Sequence, residues 1–209
     1  MLTIFSLIVL LFSIILHEIA HGNVANSLGD PTAKYAGRLT LNPLKHLDPF
    51  GSVILPLLLL AARSPFLIGW AKPVPINPYN FRDQKWGSLK VAVAGPAANF
   101  FIAAVFGLLI RFLPLYLTLP DILIQLFSIV AFYNILWGLF NLVPIPPLDG
   151  SHILFSFLPP SAESIRIALQ NYGMFILIFF IFFGGLQGLG RATFFVFEFL
   201  TGFSLSSIV

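Results

Sequence analysis

Two apolar stretches, Val91 to Ile110 and Ile122 to Val143, constrain this chain before any motif is read. Each is long enough, at about 20 helical residues, to cross the ~30 Å hydrocarbon core of a bilayer. A backbone in that medium must satisfy its own hydrogen bonds, which leaves helices or closed barrels. Composition points the same way: 58% of the 209 residues are hydrophobic and 9% charged, against roughly 25% charged in soluble domains, and the mean hydropathy is +0.95. The chain is read as a single membrane-embedded unit, an all-α polytopic bundle of about four to six segments. With no cysteine, it has neither a disulfide framework nor a thiolate metal site. The net charge of +3 comes from Lys and Arg scattered through loops, which suits anionic lipid headgroups and not nucleic acid.

Along the chain, Leu2 to Leu28 is a helical pattern closed by Gly29, and its apolar run continues into a histidine-containing stretch, so it is read as a retained span and not a cleaved leader. Asp30 to Phe50 holds three prolines and turn signals at Asn42-Pro43 and Asp48-Pro49, and suggests a short β-hairpin near the membrane surface. Gly51 to Ala62 is apolar but short, and reads as a re-entrant or interfacial helix. In "GWAKPVPINPYN" the prolines at 73, 75 and 78 forbid helix and permit an edge strand or extended loop. The expected core spans are about 2–28, 88–113 and 121–143, with C-terminal spans near 171–189 and 192–207. Basic residues Lys34, Arg38, Lys45, Arg63, Lys72, Arg82, Lys85 and Lys90 all lie between the first span and Val91. By the positive-inside rule both loops that carry them are cytoplasmic and the N-terminus is outside.

The first span contains "LHEIAHG", placing His17, Glu18 and His21 in an apolar helix. Ionisable groups inside a membrane are costly and mark function. Positions i and i+4 share a helix face about 6 Å apart, so His17 and His21 can converge on one metal ion, while Glu18 can hold a water without being a ligand. Catalytic zinc takes three protein ligands and one open position. His46, His152 and five aspartates are available; Asp149 is preferred because the topology brings it to the same face and it sits in a proline-stiffened turn at a helix end. Such a zinc ion lowers the pKa of its water towards about 7, Glu18 then serves as general base, and Asn141 can donate to the developing oxyanion.

The segments "HEIAHG", "GRLTLNPLKHLDPFGSVILP", "GWAKPVPINPYNFRD", "AVAGPAANF" and "NLVPIPPLDGSHIL" together resemble the site-2 protease family of intramembrane zinc metalloproteases in its compact form. The resemblance implies one Zn2+ per chain on His17, His21 and Asp149, Glu18 as general base, Asn141 near the scissile carbonyl, and cleavage of single-pass transmembrane proteins or peptides in regulated intramembrane proteolysis or membrane-peptide clearance. Relatives with PDZ-like or nucleotide-sensing domains, or with an extra span before the HExxH helix, are larger, and Ser151-His152 stands where many carry Gly-Arg.

His46 and His152 read as loop histidines, His152 placed to support Asp149. Asn99 is either inter-helix glue or a substrate contact. Trp70, Lys72 and Val74 lie in a segment that can pair with an unwound substrate, because a helical substrate must be extended before its backbone is reachable. A rival reading, a membrane metal-ion transporter or non-catalytic metal-binding protein, calls for further acidic or His residues in other spans, and Glu198 alone meets that description.

Overall fold

The structure is a computed structural model that describes residues 1–62 and 71–203. Among these residues the chain forms α1 (Leu2–Ser27), α2 (Thr32–Tyr35), α3 (Leu55–Ala61), α4 (Gly87–Phe112), α5 (Asp121–Asn141), α6 (Asp149–Phe157), α7 (Glu163–Phe180) and α8 (Leu186–Thr201). Four apolar helical stretches are long enough to cross a bilayer: Leu2–Ser27, Gly87–Leu115, Asp121–Asn141 and the composite Pro160–Thr201. The chain is a multi-pass membrane protein by this measure.

Local chemistry explains the boundaries. Gly29, at φ +109°, takes the backbone conformation that L side chains avoid and turns the chain out of α1. Pro120 immediately precedes α5, and Asp121 opens its first turn where the helix dipole favours a carboxylate. Pro96 lies inside α4, a position tolerated in membrane helices whose neighbours re-satisfy the freed carbonyl. The C-terminal boundaries differ from expectation. Glu163 to Phe180 is one helix, and the break before α8 comes at Phe183 and Gly184, where Gly184 has φ +96°; an unbroken run of Phe and Ile hides it in the sequence.

α4 is the central element, packed against α1, α5, α6 and α8. One apolar cluster joins Ala103, Ala131, Ile135 and Phe197 from α4, α5 and α8. A second joins Ala25 of α1, Val91 of α4 and Phe81. Large apolar side chains such as Leu7, Phe101, Phe175 and Phe195 are exposed on the outside, as a lipid-facing surface requires.

The expected β-hairpin between the first two core spans is not formed. No strand occurs among the described residues, and the closest approach to one is an isolated bridge between Leu47 and Ala71. The cause is local: Asn42 and Asp48 accept backbone N–H groups of Leu44 and Gly51 within their own turns, and the prolines supply no donor to a ladder. What remains of the extended region is residues 71–81, called the strap below. Its prolines fix φ and bias Lys72, Val74 and Asn77 toward extended backbone, and a 3-10 turn at Pro78–Asn80 closes it.

Candidate active site and metal centre

Two helices deliver the three expected ligands. His17 and His21 are one turn apart on the buried face of α1, and Asp149 sits in the first turn of α6. His17 Nε2 is 3.0 Å and His21 Nε2 3.2 Å from Asp149 Oδ2, and the two imidazole nitrogens are 3.0 Å apart. These are the only three His, Asp or Glu side chains among the described residues that converge in this way.

The neighbours fix which ring nitrogens face inward. His21 Nδ1 lies 2.7 Å from the Val91 carbonyl, which can only accept, so Nδ1 carries the proton. For His17 a relay of amides sets the proton. Asn134 donates to the Val130 carbonyl, so its oxygen is turned toward Asn99 and accepts from the Asn99 amide at 2.9 Å. The same Asn99 amide donates to the Ser13 carbonyl. Asn99 Oδ1 therefore faces His17 Nδ1, at 2.7 Å, and accepts its proton. Both Nε2 atoms then present lone pairs to each other and to a carboxylate oxygen. Three acceptors with no donor repel unless a cation lies among them, and tetrahedral zinc with ligands at 2.0–2.2 Å sets them about 3.3 Å apart. The donor set and spacing fit zinc.

A cavity of about 400 Å³ opens beside this cluster, lined among others by Glu18, Val74, Val91, Asn141 and His152. Glu18 Oε2 accepts the Val74 N–H of the strap at 2.7 Å, leaving Oε1 without that constraint. Asn141 donates one amide hydrogen to the Trp137 carbonyl and retains a second. The model of peptidase family M50 matches residues 5–184. The chain belongs to this family.

Among curated proteins, this M50 peptidase is 38% identical over 176 residues to "Putative zinc metalloprotease YwhC" of Bacillus subtilis, covering 82% of the present chain and 77% of that one. It is 30% identical over 168 residues to "Putative zinc metalloprotease Rip2" of Mycolicibacterium smegmatis, covering 80% of this chain and 62% of the relative. No solved structure gives a significant match. Family and relatives make the chain an intramembrane zinc metalloprotease, as the resemblance implied.

The other expected residues are placed differently in the M50 peptidase. Val74 lines the cavity, while Lys72 is exposed on the strap with its backbone N–H donated to His46. Asn99 is fully buried, does not line the cavity, and spends its amide on α1 and α5 as described. Trp70 lies outside the described residues. His46 is a buried loop histidine whose Nε2 meets the Thr40 carbonyl and which is not among the converging ligands, and His152 lines the cavity.

Gly95 also shapes the site, although it was not among the site residues singled out from the sequence. A Cβ there would collide with His21 Nε2 and come within 2.6 Å of His17 Cε1 and Nε2. Glycine at this turn of α4 is what lets the α4 backbone approach the ligand nitrogens. The signal was present in "AVAGPAANF", but helix-kinking glycines are common and nothing in spacing alone points Gly95 at two imidazoles.

Proposed function

We propose that this peptidase cleaves single-pass membrane proteins or membrane peptides within the bilayer, at one zinc ion held by His17, His21 and Asp149. The observation that carries the reading is the convergence of three lone pairs within 3.2 Å of one another while both Nδ1 protons are engaged elsewhere. When bound there, zinc supplies Lewis acidity, acidifying water and polarising a carbonyl.

The protein's own groups do the rest. Glu18 takes a proton from the attacking water through its freer oxygen and passes it to the departing amine nitrogen, so the C–N bond breaks and the water oxygen stays on the new carboxyl group. Asn141 offers its second amide hydrogen to the carbonyl oxygen as negative charge grows there. The strap, through Val74 and Lys72, is the surface against which an unwound substrate segment lies extended. The basic loops flanking the His21 end of α1 support a cytoplasmic position for the site, with the N-terminus outside. A transporter reading gains nothing from the fold, since the described residues hold no second ligand cluster to continue an ion path.

The test is cleavage of a panel of single-pass membrane substrates by the purified protein and its Glu18→Gln variant, with bound metal counted in both. Cleavage by the parent alone, at equal zinc content, is the expected result. Equal cleavage by both removes Glu18 from the reaction.

A further inference from the structure

Asp30 is a buried carboxylate that the chemistry above does not use. It sits just past the end of α1, is 0% exposed, and forms no ion pair among the described residues. Its oxygens accept instead from the Thr32 N–H at 3.2 Å, the Thr32 hydroxyl, the Asn77 N–H at 2.7 Å and the Asn80 side-chain amide at 2.8 Å. The two Thr32 contacts are an ordinary turn around an aspartate. The contacts to Asn77 and Asn80 are not, because they reach 47 and 50 residues along the chain to grip the strap.

We propose that Asp30 is a positioning residue for peptide hydrolysis, holding the strap so that the Val74 N–H fixes the Glu18 carboxylate. The inference rests on the assignment of Glu18 as the base. The far end of the strap is fixed independently, by the Lys72 N–H on the His46 carbonyl at 2.9 Å and by the buried Arg38 guanidinium on the Lys72 carbonyl. Between the two anchors lie Pro73 and Pro75, whose locked φ angles, with Val74 restricted by the proline that follows it, leave almost no slack. Displacement of Asn77 is therefore transmitted to Val74, three residues away, and so to Glu18 Oε2. The Asp30 carboxylate supplies the two acceptors this geometry needs, one for Asn77 and one for Asn80. Asparagine, equal in size, supplies one acceptor and sets an N–H against a donor.

The experiment compares the parent, Asp30→Asn and Asn80→Ala as purified proteins in detergent. It measures kcat and KM on a fluorescent single-pass reporter, zinc per chain, and hydrogen exchange of residues 71–81. For Asp30→Asn the expectation is a tenfold or larger loss of kcat with KM within about twofold, zinc unchanged, and faster exchange confined to the strap. Asn80→Ala, which removes one exposed-side contact, shifts the same quantities less. Unchanged strap exchange in Asp30→Asn, or faster exchange with unaltered kcat, overturns the proposal, as does a rise in KM alone. Loss of zinc or faster exchange throughout α1 and α4 shows a general structural role and also overturns it. A Glu18→Gln variant measured alongside separates the two claims: if it cleaves normally the base assignment fails, while strap exchange still reports what Asp30 holds.

Discussion

At the scale of single residues, the site is defined as much by missing atoms as by ligands. Gly95→Ala would push a methyl group between the two imidazoles, and we expect at least a tenfold weaker hold on zinc, read as metal retained after dialysis against a chelator. Gly188→Ala and Gly190→Ala meet nothing within 4 Å and should retain metal as the parent does. His17, Glu18, His21 and Asp149 were legible in the sequence because HExxH in an apolar helix has few other uses and topology carried Asp149 to the same face. Gly95 and Asp30 were not, since the first acts through an approach distance between helices and the second through contacts about 50 residues away. Asn99 was legible as a buried polar residue, yet only the relay through Asn134 and Ser13 shows that its oxygen is turned to His17.

At the scale of elements, α1, α4 and α5 are joined by that relay, and the strap is joined to α1 by Asp30 and Glu18. Asn134→Leu leaves an Asn99 N–H unpaired in an apolar interior, which costs about 1–3 kcal/mol; a lower melting temperature with the fold retained is the expected outcome. The strap carries a pH dependence. Burial acts to raise the pKa of Asp30, but its hydrogen bonds from Thr32, Asn77 and Asn80 more than offset this and hold it below the ordinary carboxylate range. A depressed folded-state pKa means that the stabilisation is present above the unfolded value near ~4 and lost as pH falls through the lower folded one. Limited proteolysis at the strap should therefore rise only in that acid window, and Asp30→Asn should make it independent of pH there. The long helices were readable from apolar length and the extended strap from its prolines, whereas Asp30 to Phe50 was misread as a hairpin because local capping by Asn42 and Asp48 outcompetes strand pairing.

For the whole molecule, the fold gathers the ligand cluster, the strap and most basic loop residues toward one end of α1, with the turn between α4 and α5 at the other end of α4. The chain has no cysteine, so single cysteines can report sidedness without a background. A cysteine at Tyr116, exposed in that turn, should react with an impermeant reagent from outside intact cells, and one at Lys34 only after lysis; the reverse pattern would invert the proposed orientation. The overall architecture was legible because bilayer thickness fixes how many apolar residues a crossing needs, while the packing of α8 on α4 and α5 depends on a turn at Gly184 that composition does not announce.

One dimension of α1 carries a further meaning. The helix ends at Ser27, so His21 and His17 lie six and ten residues before its end, about 9 and 15 Å along the axis. The candidate ligand pair is thus held at a set distance from the end of α1 by the scaffold itself. For the membrane substrates proposed above, this spacing would act as a ruler, with the bond to be cut selected by its distance from the membrane surface and not only by the side chains beside it. Thickening or thinning the bilayer around the same pair of proteins should move the cleavage position along the substrate.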